Sequence, residues 1–170
     1  MTTDSPERLH FKANKAALVR ILGNKALDDL TIDRVCRKLF AAWGGVSPVD
    51  RVKLLPYHYY IINVDPHDKP GSHWLACFTN GKRAYVYDSY GRNIQKLVPQ
   101  LIKTIHKAGM TLGKTNQISH MEQRGYTSET CGDYSIGWLL VVRDLGIARA
   151  KNVSINSSHF FVANHTHTHY

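Results

Sequence analysis

The sequence has few cysteines, few acidic residues and no long apolar run, and each shortage argues against a class of protein. The cysteines Cys36, Cys77 and Cys131 are odd in number and have no C-x-x-C spacing, which disfavours a disulfide framework and a zinc ribbon. No segment approaches the roughly 18 consecutive apolar residues of a membrane helix, and the polar start MTTDSPERLH lacks the apolar run of a secretion signal. We therefore expect a soluble monomer with no membrane partner, in an intracellular reducing compartment.

Acidic residues are outnumbered by basic ones. The chain has 13 Asp and Glu against 22 Lys and Arg, a formal charge of +9, which attracts polyanions such as nucleic acid. The basic residues are scattered over several segments, so a solvated basic surface is an equal interpretation. At 170 residues the chain fits one domain spanning 1–170, with a short polar tail over 1–9 and a His-rich tail over about 160–170.

Hydrophobic periodicity predicts an α+β protein. Cys36 lies on the apolar stripe of the second predicted helix, so we interpret it as core. That helix is capped by Thr31 and stopped by Gly44 and Gly45. The predicted elements are helices over 11–22, from Thr31, from Ile94 to near Gly109 and over Cys131–Leu145, and strands over Tyr59–Val64, His73–Phe78, Arg83–Tyr87 and about 116–120.

The dipeptide Asn80-Gly81 predicts a β-hairpin with a two-residue turn. That register places His73 directly opposite Asp88, with Cβ atoms about 4.5–5.5 Å apart. A carboxylate that accepts from one ring nitrogen leaves the other to exchange a proton with a nucleophile. Alone, the pair is better interpreted as an ordinary cross-strand ion pair, and a third member is needed to favour catalysis. The same register places Leu75 and Cys77 on one face with Val86 and Ala84, and Trp74, Ala76 and Phe78 on the other with Tyr87, Tyr85 and Arg83.

Cys131 is the candidate nucleophile. It begins a predicted helix, where unpaired backbone N–H groups and the dipole stabilise a thiolate and donate to an oxyanion. Gly132 permits close approach of a substrate backbone. Alone, Cys131 is equally a buried structural cysteine, and the combination with His73 and Asp88 favours catalysis. A metal site is disfavoured because no HExxH or paired Cys/His spacing occurs. A serine hydrolase is disfavoured because Ser89 lies outside any GxSxG elbow.

Three motifs, GSHWLA over 71–76, YVYDSYG over 85–91 and CGDY over 131–134, resemble adenovirus-type maturation proteases (adenain). The resemblance is nearest to the Polinton-type branch and more distant to SUMO-specific proteases. It implies a papain-like, circularly rearranged α+β fold, with the nucleophile at the start of a central helix on a mostly antiparallel sheet. It also implies that Gln123 donates to the oxyanion, although Gln123 lies further before Cys131 than the family's glutamine does. Trp74 would line the cleft, or be a core aromatic facing Tyr87.

The function implied is a cysteine endopeptidase that cuts viral capsid or core precursors in the host nucleus or virion. The chemistry needs no cofactor, and the resemblance implies activation by DNA or a peptide. In the adenoviral enzyme a cysteine tethers the activating peptide. Neither Cys36 nor Cys77 has an evident equivalent role, so the resemblance does not imply a peptide disulfide in this chain. The alternatives are a protease of ubiquitin-like modifiers and a non-enzymatic, basic nucleic-acid-binding core protein.

Overall fold

The computed structural model describes residues 4–23, 26–69, 73–115 and 131–153. Helices and a single sheet make up this part of the chain, so the protein is of the α+β class, as predicted. The helices are α1 (Pro6–Leu22), α2 (Asp29–Leu39), α3 (Ile94–Leu97), α4 (Pro99–Lys107), α5 (Cys131–Leu145) and α6 (Ile147–Ala150), and the strands are β1 (Trp43–Pro48), β2 (Tyr59–Asn63), β3 (Trp74–Thr79), β4 (Arg83–Tyr87) and β5 (Thr111–Leu112).

The sheet is mixed, with strand order β1-β2-β3-β4-β5. The central pairs β2–β3 and β3–β4 are antiparallel, whereas β1 and β5 run parallel to their neighbours. The prediction of a mostly antiparallel sheet is therefore wrong at both edges. Parallel pairs need a crossover connection, and here residues 49–58 connect β1 to β2 while α3 and α4 connect β4 to β5.

The β3–β4 hairpin has a different register from the predicted one. Its turn is Gly81–Lys82, because Asn80 pairs with Arg83 through a backbone hydrogen bond of 2.9 Å. The Asn80 side-chain oxygen accepts from the amides of Lys82 and Arg83, so Asn80 closes the turn instead of occupying its centre. The predicted cross-strand partners are therefore wrong by two residues, with Ala76 opposite Tyr87. A shift of two keeps every side chain on its predicted face.

The sheet lies between two apolar layers. One face packs on α1, α2 and α5, with Ala76, Tyr85 and Tyr87 directed into that core. The other face packs on α4 and the loop after β1, with Cys77 and Val86 directed into the second core. Cys36 is fully buried in the first layer, as its place on the apolar stripe predicted.

The first two helices begin earlier than predicted. Ser5 caps α1 by accepting from the Arg8 amide, and Pro6 occupies the first turn, where its missing N–H costs nothing. Residues 6–9 therefore belong to a helix and not to a polar tail. Asp28, not Thr31, caps α2, with its side chain accepting from the Thr31 amide.

Strand β1 was not predicted, because Gly44 and Gly45 suggested only the end of a helix. A Cβ on Gly44 would lie 2.2 Å from the Tyr60 ring, and Gly45 has a φ of 115° at the irregularity between β1 and β2. Both positions therefore require glycine within the strand.

The predicted helix from Ile94 is two helices. Val98 separates α3 from α4, and Pro99 stands at the first position of α4, where a proline ring is tolerated. The strand that follows is β5, over Thr111–Leu112. The strand predicted over about 116–120 lies outside the described residues.

Helix α5 has the predicted bounds, from Cys131 to Leu145, and Gly146 follows it with a φ of 88°. Ten of the eleven residues from Gly132 to Val142 are buried, all except Tyr134, because the helix packs against both α1 and β3. Within the described residues, the helices all fall short of the length and apolar character that crossing a membrane requires.

Candidate active site

His73 and Asp88 lie at the open end of the β3–β4 hairpin. His73 directly precedes β3 and Asp88 directly follows β4, so the shifted register makes them diagonal neighbours on one face instead of direct partners. The imidazole Nε2 nevertheless lies 2.6 Å from Asp88 Oδ1. The His73–Asp88 contact predicted from the sequence is therefore present, although its predicted register is wrong.

The Asp88 carboxylate is surrounded by donors. The backbone amide of Tyr90 lies 3.3 Å from Oδ1, and the amide of Arg92 lies 3.0 Å from Oδ2. The Arg92 guanidinium adds Nε at 2.8 Å from Oδ2. Burial raises the pKa of Asp88, but hydrogen bonds from His73 and Arg92 outweigh burial and lower that pKa to about 2. Asp88 is therefore an anion, and an anionic carboxylate can only accept.

Cys131 is the first residue of α5 and is partly exposed. Burial lowers the pKa of the His73 imidazole, whereas hydrogen bonds to Asp88 and to Cys131 raise it, and the net pKa is raised. The imidazole thus hydrogen-bonds the Asp88 carboxylate and also interacts with the Cys131 thiol. Since Nε2 must carry the proton donated to Asp88, Nδ1 is the nitrogen that remains for the thiol. The arrangement permits proton transfer from Cys131 to His73.

Gly132 contacts the loop between α1 and α2. A Cβ at this position would lie 3.2 Å from Leu27 Cδ1, and the indole N–H of Trp74 donates to the Leu27 carbonyl at 3.1 Å. Trp74 is itself half-buried against the first core, and its partner on β2 is Asn63. These contacts fix the Leu27 loop beside the start of α5.

Two charged residues near this site were not predicted. Arg92 binds Asp88, and the only sequence signal was its position directly after the YDSYG motif. Asp133 is fully buried two residues after Cys131, and among the described residues neither of its oxygens has a hydrogen-bond partner. Burial raises the pKa of Asp133 to about 6, opposed by the charge of Lys15.

The other two cysteines differ from Cys131. Both Cys36 and Cys77 are fully buried, and burial raises the pKa of each, to about 12 for Cys77. Gln123, the predicted oxyanion donor, lies outside the described residues. Within the described part of the chain, no group of three or more His, Cys, Asp or Glu side chains is placed to hold a metal ion.

No protein-family model matches the sequence, and no curated protein matches it.

Proposed function

We propose that the chain is a cysteine endopeptidase in which Cys131 is the nucleophile, His73 the general base and acid, and Asp88 the group that orients His73. The observation that supports this most strongly is that one imidazole hydrogen-bonds a buried carboxylate at 2.6 Å and also interacts with a thiol at the start of a helix, which raises the imidazole pKa. An ordinary structural ion pair does not require that thiol. The placement of α5 on β3 is compatible with the papain-like arrangement that the resemblance implies.

The proposed reaction forms and breaks one covalent bond to Cys131. His73 takes the thiol proton, the thiolate attacks the scissile carbonyl, and an S–C bond forms while the imidazolium protonates the leaving amine. Water then attacks the thioester, gives its proton to His73, and releases the acid product together with the free thiol. Backbone amides at the start of α5 are suited to donate to the oxyanion of both tetrahedral intermediates.

Thiol labelling tests this proposal directly. Iodoacetamide, followed by mass spectrometry across a pH series, is expected to modify Cys131 at least about tenfold faster than an unactivated thiol below pH 8. His73→Ala should abolish that advantage, while the buried Cys36 and Cys77 serve as internal controls. Equal, slow labelling of all three cysteines that is indifferent to His73, with or without DNA, would contradict the proposal and favour the non-enzymatic alternative.

The proposed substrates are viral capsid or core precursors with small residues such as glycine near the cut site, which rests on the resemblance alone. Proteolysis of ubiquitin-like modifiers is the alternative. Glycine-containing capsid peptides compared with SUMO and ubiquitin conjugates separate the two, because cleavage of the conjugates alone would select the modifier protease.

DNA is the proposed activating partner, supported by a concentration of charge between residues 81 and 115. This segment has a single acidic residue, Asp88, which is buried. All of its Lys and Arg side chains belong to exposed residues: Lys82, Arg83, Arg92, Lys96, Lys103, Lys107 and Lys114. Such a surface attracts a polyanion in a salt-dependent way.

A charge-reversal pair tests the DNA proposal. Lys103→Glu with Lys107→Glu should weaken DNA binding and reduce its salt dependence, measured by fluorescence anisotropy. The matched control is Arg34→Glu with Lys38→Glu, two exposed cations at the same spacing on α2. Turnover that is unchanged by DNA at low salt would exclude DNA as an activator.

A further inference from the structure

The Asp88 carboxylate is shared between an imidazole and a guanidinium. His73 Nε2 approaches Oδ1 at 2.6 Å, while Arg92 places Nε 2.8 Å from Oδ2 and one terminal nitrogen 3.3 Å from Oδ1. The guanidinium thus contacts both oxygens of a carboxylate that is completely buried, while its own side chain is 42% exposed. A guanidinium stays charged at every working pH, so this second partner is permanent.

The backbone holds the carboxylate in place independently of the guanidinium. The amide of Gly91 donates to the Asp88 carbonyl at 2.8 Å, and Gly91 has a φ of 67°, a conformation that favours glycine. The resulting tight turn directs the amides of Tyr90 and Arg92 at the two carboxylate oxygens. Removing the Arg92 side chain therefore removes a charge without removing what positions Asp88.

Arg92 and the His73 imidazole both contact the ring of Tyr90. Its guanidinium carbon lies 5.0 Å from the centre of the Tyr90 ring, and the same ring lies 5.1 Å from the His73 ring. One aromatic side chain thus contacts both side chains that share the Asp88 carboxylate. The loop over 88–92 thus contacts His73 through the Asp88 carboxylate and the Tyr90 ring, and Arg92 contacts the same two groups.

We propose that Arg92 is a positioning residue which shares the Asp88 carboxylate with His73 and so limits how strongly that carboxylate holds the imidazolium. The proposal rests on the proposed function, in which His73 must both accept a proton from Cys131 and return it to the leaving amine. An imidazolium stabilised by an undivided carboxylate is a weaker acid, so it protonates the leaving group less readily. Arg92 thereby keeps the imidazole able both to accept the thiol proton and to return it to the leaving amine.

The consequence has a defined sign. In Arg92→Met the undivided negative charge of Asp88 stabilises the imidazolium and the repulsion by the guanidinium disappears, so the pKa of His73 rises further. We expect the titration midpoint of the imidazole to move up by about half to one pH unit. Arg92→Gln, a second neutral variant, should give the same shift, whereas Arg92→Lys retains the charge and should stay closer to the wild-type midpoint.

The experiment is an NMR titration of the His73 imidazole, identified by its absence from His73→Gln. Arg149→Met is the matched control, because Arg149 forms a 2.7 Å ion pair with Glu7 and has a side-chain exposure of 47%, similar to that of Arg92. It should leave the midpoint unchanged. Cys131 and Asp133, the titratable groups on the first turn of α5, are identical in all these variants and do not affect the comparison.

An unchanged or lower midpoint in both neutral variants would overturn the proposal. A lower midpoint would mean that Arg92 merely holds the loop, so that Asp88 leaves His73 when Arg92 is removed. The NMR titration does not depend on hydrolysis. Its outcome is therefore independent of the Cys131 labelling that tests the proposed protease. With a cleavable peptide, the acid limb of kcat/KM should move upward in Arg92→Met by the same interval as the imidazole, because the free enzyme needs an unprotonated imidazole to accept the thiol proton.

Discussion

Asp88 and Asp133 are both completely buried carboxylates close to the Cys131–His73 pair in the chain or in space. Asp88 receives two side-chain partners and two backbone amides, whereas Asp133 has no hydrogen-bond partner among the described residues. Their pKa values move in opposite directions from a similar ordinary value, to about 2 and about 6.

The comparison shows that burial alone does not decide the charge of a carboxylate. Burial raises the pKa of both groups, and only Asp88 has enough donors to reverse the effect. Asp88 thus remains an anion beside His73, as its proposed orienting role requires. Asp133 near neutral pH is partly protonated, and its ionised form destabilises the fold.

The largest expected effect comes from Asp88→Asn. An amide in place of the carboxylate favours the wrong imidazole tautomer and removes the charge that stabilises the imidazolium, so turnover should fall by about 10³–10⁴. Steady-state hydrolysis of a peptide substrate measures this. The matched control is Asp50→Asn, because Asp50 also hydrogen-bonds a histidine, His67, but on the surface. A loss of turnover in the control as large as in Asp88→Asn would contradict the assignment.

Acid unfolding tests the same residue without a substrate. The pKa of Asp88 is lowered in the folded state, so its contribution to stability is present above about pH 4 and is lost as the pH falls towards 2. We expect the unfolding free energy of the wild type to fall through this interval more steeply than that of Asp88→Asn. Parallel curves for the two proteins, measured by urea unfolding, would contradict the geometry.

Asp133→Asn should change the free energy of unfolding in the opposite direction from Asp88→Asn. The pKa of Asp133 is raised to about 6, so the folded state binds this proton more tightly than the unfolded state, and the penalty of ionisation grows between about pH 4 and pH 6. Replacing Asp133 should therefore stabilise the protein by on the order of 2 kcal/mol at pH 7.5 and by much less at pH 4.5. Urea unfolding at the two pH values measures the difference.

Asp33→Asn is the control for Asp133. Asp33 accepts from the indole of Trp43 at 2.9 Å and from Arg37 at 2.7 Å, and these two bonds lower its pKa. Its replacement should destabilise the protein at pH 7.5. If Asp133→Asn also destabilises there, the Asp133 carboxylate has a partner and the contrast with Asp88 does not hold.

The sequence predicted side-chain faces better than it predicted register. Asn80-Gly81 correctly indicated a hairpin, but the centre of the turn is Gly81–Lys82, one residue later than predicted, so every cross-strand partner shifts by two. Because side chains alternate, that error left His73 and Asp88 on one face within reach of each other. The start of α5 at Cys131 was predicted because a polar, turn-rich stretch gives way to an apolar run there.

The undetected features depend on tertiary contacts or on turns that the sequence does not show. Strand β1 contains Gly44, where the Tyr60 ring leaves no room for a Cβ, and Gly45, where a φ of 115° favours glycine. The role of Arg92 depends on a turn at Gly91 that brings it back to Asp88. Nothing near Asp133 in the sequence shows that its carboxylate is buried without a partner, since its burial is set by the packing of α5.

The smallest expected effect on stability comes from Gly132→Ala. Gly132 lies in the first turn of α5, between Cys131 and Asp133, where that turn packs against Leu27. An added Cβ would lie 3.2–3.3 Å from Leu27 atoms, tighter than ordinary contact, so Gly132→Ala should destabilise the protein by about 1 kcal/mol. Gly137→Ala in the same helix is the control. There the nearest atom, in Phe11, is at 3.5 Å, and alanine should stabilise the helix by up to about 1 kcal/mol.

A double-mutant cycle shows whether Leu27 causes the penalty at Gly132. Leu27→Ala removes the nearest crowding atom, Cδ1 at 3.2 Å, but keeps Cβ at 3.3 Å. Gly132→Ala should therefore lose part of its penalty in the Leu27→Ala background, a coupling of about 0.5 kcal/mol in urea unfolding. Gly132→Ala should also slow the modification of Cys131 by iodoacetamide, because that rate depends on the position of the first turn relative to His73, and Leu27→Ala should partly restore the rate. Independent effects of the two substitutions would mean that the Leu27 loop does not position the nucleophile.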